Sequence, residues 1–193
     1  MRWVFRWAWV GSLLSLATTS AFAQTTPAFG DQFAILGGIQ LGTLNLSELV
    51  KRYGAADIVA SGEGDDYQAA ICYRLSGGLL YLMSNNLGGS EHRLLGYKVV
   101  ASSPGAHCAP VTRTTPPVLD AAGLRLGISS GDYERLMHSP RVGMLEPRRV
   151  PVAAPSAQPR AADENIFFFR NVSVEGTFAN GLLVGFEVWL TAG

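Results

Sequence analysis

The tetrapeptide "IQLG" at residues 39–42 returns as "LRLG" at 124–127, and each opens a stretch with a helix signal close behind it. After the first comes "TLNLSELVKRYG" (43–54), where Leu46, Leu49, Val50 and Tyr53 fall at the spacing of one buried helical stripe. Asn45 and Glu48 form a capping box and Gly54 is placed to end the helix. After the second comes "ISSGDYERLMHSP" (128–140), with Tyr133, Leu136 and Met137 as a shorter stripe, Ser129 or Ser130 as cap and Pro140 as stop.

Strand signals follow each helix. In the first half they are "DIVASG" (57–62), "YQAAICYRL" (67–75), "LLYLMS" (79–84) and "RLLGYKVVAS" (93–102), separated by turns rich in Gly, Asn and Asp. In the second half "NIFFFRNVSVEGTF" (165–178), the turn "ANG" and "LLVGFEVWLT" (182–191) read as one long hairpin. The strongest internal match joins "LGYKVV" (95–100) to "VGFEVW" (184–189), each aliphatic, Gly, aromatic, charged, Val, apolar. Upstream, "CYR" (72–74) stands against "FFR" (168–170). Four matched elements in one order imply a duplication. The expected fold is α+β, with two tandem copies of a small helix-plus-antiparallel-sheet unit and helices on one face of each of two sheets.

The flanking segments set the boundaries. Arg2 and Arg6, the apolar run 7–17 and the A-x-A ending of "TTSAFA" give residues 1–23 the form of a signal peptide. An N-terminal segment spans 24–36, the first repeat 37–102, a linker 103–122 and the second repeat 123–193. The second repeat carries a Pro/Ala-rich insertion, 147–165, whose composition suits a mobile loop. The expected compartment is the periplasm or the exterior. The 11-residue apolar run is short of the ~20 residues of a membrane span, and no cysteine follows the cleavage site to take a lipid. Without the signal segment 13 basic residues face 15 acidic ones, with no basic excess for nucleic acid.

Cys72 and Cys108 are the only cysteines. Their even number in an oxidising compartment, without a C-x-x-C, points to a structural disulfide. If Cys72 faces the open side of its sheet, the bridge draws the connector back over the first sheet.

Alternation assigns the faces. Leu95, Tyr97, Val99, Val184, Phe186, Val188, Leu190, Tyr73 and Phe169 turn toward the helices. Arg74, Lys98, Phe168, Arg170, Glu187 and Trp189 turn toward an open face, a composition found in protein-binding hot spots.

This layout, an "LG" opening, a capped helix, a glycine, an antiparallel meander and then the unit again, resembles the tandem-repeat β-lactamase inhibitor proteins. It also resembles the single-copy outer-membrane assembly lipoproteins of the SmpA/OmlA type. The likeness covers residues 37–193 and rests on layout and short "xLG…S/T" signals. In the inhibitor family, concave sheets present aromatic and charged residues to a partner enzyme. The resemblance extends that role to the six open-face residues, without naming a target. The lipoproteins' acylated cysteine is missing here.

No catalytic constellation stands out. His92, His107 and His138 lack the spacing of a helical zinc pair, and "GGSEH" (88–92) lacks the strand-to-helix context of a hydrolase nucleophile. "SGEGDD" (61–66) reads as a charged hairpin turn rather than a calcium loop. The expectation is a non-enzymatic binding protein without cofactor or metal, whose partner is another envelope or extracellular protein. The alternative is a small-ligand binder or hydrolase with Glu91, His92 and His138 converging in a cleft between the repeats.

Overall fold

A computed structural model describes residues 31–138, 163–168 and 171–191. The expected signal peptide, Pro140, Phe169, Arg170 and most of the insertion lie outside the described residues.

Both helix readings hold. Helix α1 spans Leu46–Tyr53 and buries Leu46, Leu49 and Tyr53. Asn45 Oδ1 accepts the Glu48 amide at 2.8 Å, and Glu48 Oε2 accepts the Asn45 amide at 2.9 Å. Gly54 follows at φ 119°, a conformation that needs glycine. Helix α2 spans Ser130–Met137 with Ser129 as its cap, and buries Tyr133 and Met137.

Among the described residues ten strands accompany them in an α+β fold. Strands β1 (Ile35–Leu36) and β2 (Ile39–Gln40) make a small hairpin before α1. The others are β3 (Val59–Ser61), β4 (Gln68–Leu75), β5 (Gly78–Asn85), β6 (Gly96–Val100), β7 (Ala109–Pro110), β8 (Asp163–Phe168), β9 (Val172–Ala179) and β10 (Leu182–Leu190). They build one eight-stranded sheet in the order β3-β4-β5-β6-β10-β9-β8, with β7 beside β4. All its pairings are antiparallel except β4–β7. Two separate sheets were expected. They are one because β6 and β10 pair along Gly96–Val100 and Gly185–Trp189, so neither strand is left with an open edge.

The register holds a regularity. The centre of the β6–β10 ladder is Lys98 opposite Glu187, with Gly96 opposite Trp189 and Val100 opposite Gly185. In the "LGYKVV"/"VGFEVW" match Lys98 and Glu187 are counterparts, and the pairs Gly96–Trp189 and Val100–Gly185 are exchanged with each other. At the two ends Leu190 N donates to Leu95 O at 2.8 Å, and Ala101 N to Val184 O at 2.9 Å. The helix entries also correspond. Gly42 N donates to Leu94 O at 2.7 Å, and Gly127 N to Leu183 O at 2.8 Å. Leu46 N reaches His92 O and Ser130 N reaches Gly181 O, both at 3.0 Å. Isolated bridges join Asn45 to Arg93 and Ser129 to Leu182.

Paired residues share a face, so the register defines the buried side. One row runs Tyr73, Leu80, Val99, Phe186, Gly176. Tyr53 of α1 lies edge-on to Tyr73, with ring centroids 5.9 Å apart, and the Tyr133 ring of α2 lies over Gly176. Between them Tyr97 meets Phe186 edge-on at 6.2 Å, and its hydroxyl donates to Phe33 O at 2.7 Å. The Tyr73 hydroxyl donates to Gly54 O at 2.8 Å. Burial pushes Tyr73 up to about 12 and raises Tyr53, Tyr97 and Tyr133 as well, so these buried hydroxyls stay protonated as donors.

Five sequence expectations change. The stretch 165–178 is two strands, because the chain reverses after Phe168 and pairs Val172–Ala179 back on β8. Asp163, Glu164 and Asn165, read as insertion, belong to β8. The register aligns Tyr73 with Phe167 rather than Phe169, each standing beside a β5 or β9 residue that faces Val99 or Val188. The "CYR"/"FFR" match is therefore two residues out, a shift that preserves the faces. Leu94 and Leu183 take the buried places expected for Leu95 and Val184, the second because Val184 is the extra residue of a bulge. Finally, part of the connector joins the sheet as a strand. It runs along the edge of β4 as β7, then passes under the end of α1, where Thr112 N donates to Tyr53 O at 2.9 Å.

Candidate binding face

The side of the sheet opposite the buried row carries the expected open-face residues. One line runs Cys72, Tyr81, Lys98, Glu187, Glu175, Ile166 across six strands. Beside it Gly96, Trp189 and Ser173 stand in register, and on the other flank Arg74, Leu79, Val100, Gly185 and Thr177. Tyr81, Lys98, Val100, Glu175, Glu187 and Trp189 are half-buried and Arg74 is exposed.

The centre is a connected cluster. Lys98 Nζ lies 2.9 Å from Glu187 Oε2, and Trp189 Nε1 donates to the other oxygen of the same carboxylate. The Trp189 ring covers Gly96 so closely that a Cβ there would stand 2.6 Å from it. Only glycine lets the indole lie flat on the strand. Partial burial opposes the Lys98 charge, but the hydrogen bond and charge of Glu187, with Glu175 and Tyr81, outweigh it and hold the ammonium above the ordinary lysine range.

Of the six residues expected here, Lys98, Glu187 and Trp189 come together, and Arg74 stands on β4, two strands from Lys98 and three from Glu187 and Trp189. Phe168 holds the register position opposite Ser173, and Arg170 lies outside the described residues. Tyr81 and Glu175 belong to the face and were missed. Tyr81 sits in "LLYLMS", an apolar run with no alternation to assign it. Glu175 was hidden by reading 165–178 as a single strand.

Cys72 and Cys108 are disulfide-bonded, with Cα atoms 4.7 Å apart, and the bond ties β4 to the strand that follows Cys108. A concavity of about 750 Å³ opens beside it at the sheet edge. The polar residues of the alternative reading do not converge. His92 stacks on Tyr67 just before β4, whereas His138 lies edge-on to Phe167 of β8, at the opposite end of the sheet. Glu91 is exposed in its turn. Among the described residues no group of three or more His, Cys, Asp or Glu side chains could hold a metal ion, and no helix is long and apolar enough to cross a membrane.

No protein-family model, no curated protein and no solved structure matches the chain.

Proposed function

We propose that this is an exported, non-enzymatic binding protein, built of two tandem α+β units, that engages another envelope or extracellular protein through its open sheet face. The tandem reading is supported by the β6–β10 ladder, whose flanking pairs are exchanged about the central Lys98–Glu187 pair as across a two-fold axis, and by the matching bonds at the two helix entries. Two ancestral copies meeting through their last strands would produce this arrangement in one chain. The layout is the one that resembles the inhibitor proteins.

The observation that carries the binding role is the Lys98–Glu187–Trp189 cluster at the midpoint of the half-buried face. A Trp anchored by a carboxylate, on a face that also carries Tyr81, Val100 and Arg74, offers a rigid aromatic centre with charge on the same surface, the make-up of an interface hot spot. Alone on the surface, such an indole leaves apolar area in water that a partner would cover.

Crosslinking pull-down from envelope extract tests this. Wild type should recover a partner, and Trp189→Ala and Arg170→Ala should each lose it while circular dichroism stays native. Equal recovery with all three proteins, or no partner with any, would overturn the reading.

A further inference from the structure

A second surface, at the edge of the sheet where the open face ends, has the form of a strand acceptor. Strand β3 is the last strand on its side of the sheet, and among the described residues nothing pairs with its outer edge. Val59, Ala60 and Ser61 are all exposed, Val59 at 67%, and Ile58 beside it at 39%. The edge does not end there. Strand β4 pairs with β3 over Gln68–Ala70 and with β7 over Tyr73–Arg74, so Ile71 and Cys72 stand between the two neighbours. The 750 Å³ concavity opens at this step, lined by Asp57, Val59, Gln68, Cys72, Arg74 and His107 among others.

Charge decides what fits. From Gly54 to Tyr73 the chain carries Asp57, Glu63, Asp65 and Asp66 and no lysine or arginine. None of the four carboxylates makes an ion pair among the described residues. Asp65 accepts only a neutral bond, from Asn86 Nδ2 at 3.0 Å. A second copy of this chain, pairing β3 to β3, would bring the same four carboxylates against these and be repelled. Short, charged edge strands discourage self-pairing in this way. An extended segment bearing lysine or arginine meets the opposite field. Its main chain would continue the sheet and its alternate side chains would enter the concavity. Arg74 and His107 stand at the β7 end, so the basic residues of such a segment belong at the β3 end.

We propose that the outer edge of β3 accepts an extended, basic peptide segment of another exported protein by strand addition. The site lies at the β3 edge, four strands from Trp189 on β10, and does not depend on that residue.

The probe is a fluorescein-labelled peptide, acetyl-Lys-Val-Lys-Val-Thr-Val-amide, titrated by fluorescence anisotropy against the purified protein. It should bind about tenfold more tightly than the same peptide with Glu in place of Lys. Asp57→Asn/Asp65→Asn/Asp66→Asn, all at exposed positions, should remove most of that preference. Methylating alternate peptide nitrogens should abolish binding, which charge attraction alone would not do. Amide exchange should slow at Val59–Ser61 on binding. Equal affinity for the Lys and Glu peptides, full binding by the N-methylated peptide, protection at the Trp189 face instead, or a β3-dependent dimer would each overturn the proposal. Trp189→Ala should leave peptide binding unchanged, so failure here and failure of the pull-down are distinct results.

Discussion

Leu49 and Tyr133 are each the fourth residue of an eight-residue helix, and each is buried. On the sheet, Leu82 stands beside Tyr97 where Gly176 stands beside Phe186. The first half thus fills this layer with two leucines, the second with a tyrosine over a glycine. A Cβ at Gly176 would lie 2.8 Å from the Tyr133 ring. The second half places all the side-chain bulk of this layer on the helix. On the tandem reading proposed above, the two halves share a backbone plan without sharing a jigsaw.

The halves differ most in covalent terms, since only the first has a disulfide. Replacing both cysteines, Cys72→Ser with Cys108→Ser, should lower unfolding free energy by about 4 kcal/mol, the chain-entropy value for a loop of this length. Denaturant titration measures the total. Amide exchange should show the loss concentrated in β3, β4 and β7, with β9 and β10 holding their protection. A uniform loss would mean that the joined sheet unfolds as a single unit and that the halves have no separate stability.

The difference in layer packing gives the next largest effect. Gly176→Leu alone should destabilise by about 1–3 kcal/mol through overpacking against Tyr133. Adding Tyr133→Leu recreates the first half's leucine pair and should recover most of it. A double-mutant cycle from thermal or chemical unfolding reads this as a coupling of about 1–3 kcal/mol. Simple additivity would show that the two layers are not equivalent.

What could be read in advance divides along local and non-local lines. Helix α1 was legible because Asn45, Glu48 and Gly54 encode its ends within ten residues. The matched last strands were legible for the same reason. Their pairing with each other was not, because no local signal says which two edges will meet; the opposite charges of Lys98 and Glu187 at equivalent positions were the available hint. Alternation put Arg74, Lys98, Glu187 and Trp189 on one face. It failed at "LL" (94–95) and "LV" (183–184), where two adjacent aliphatics compete for one buried place. The division of 165–178 into β8 and β9 was missed because Asn171 is the lone turn residue in "FFFRN".

Helix capping separates the halves more finely. The Asn45 cap is a reciprocal box, whereas Ser129 accepts the Asp132 amide at 3.1 Å and its hydroxyl donates back to the Asp132 carboxylate at 2.7 Å. Asn45→Ala should cost about 1–2 kcal/mol and Ser129→Ala about 1 kcal/mol, by denaturant unfolding. The two should also part with pH. The Ser129 hydrogen bond, then the Arg135 charge, hold the Asp132 carboxyl below its ordinary range. Its contribution is therefore present above the unfolded carboxylate pKa and fades as pH falls through the lower folded one. Ser129→Ala should flatten that acid limb, an effect expected only in the second half.

The smallest effect lies in the turns that precede the helices. Gly37 and Gly38 join Leu36 to Ile39 with φ of 54° and 82°, and Ala122 and Gly123 join Ala121 to Leu124 with φ of 55° and 94°. Both central residues are left-handed in each turn, the geometry of the tight hairpin type that favours glycine. Alanine at 122 holds this conformation against its own Cβ. Ala122→Gly should therefore raise stability by up to about 1 kcal/mol, the relief exceeding the added chain entropy of the unfolded state. The first turn shows why the same exchange cannot run backwards there: a Cβ on Gly37 would stand 2.8 Å from Pro117 Cβ and 2.9 Å from the Val118 nitrogen. The connector between the halves passes over the first turn, and that crowding, absent at 122, is what keeps a glycine at 37. A fall in melting temperature for Ala122→Gly would show that chain entropy, not backbone strain, dominates at this turn.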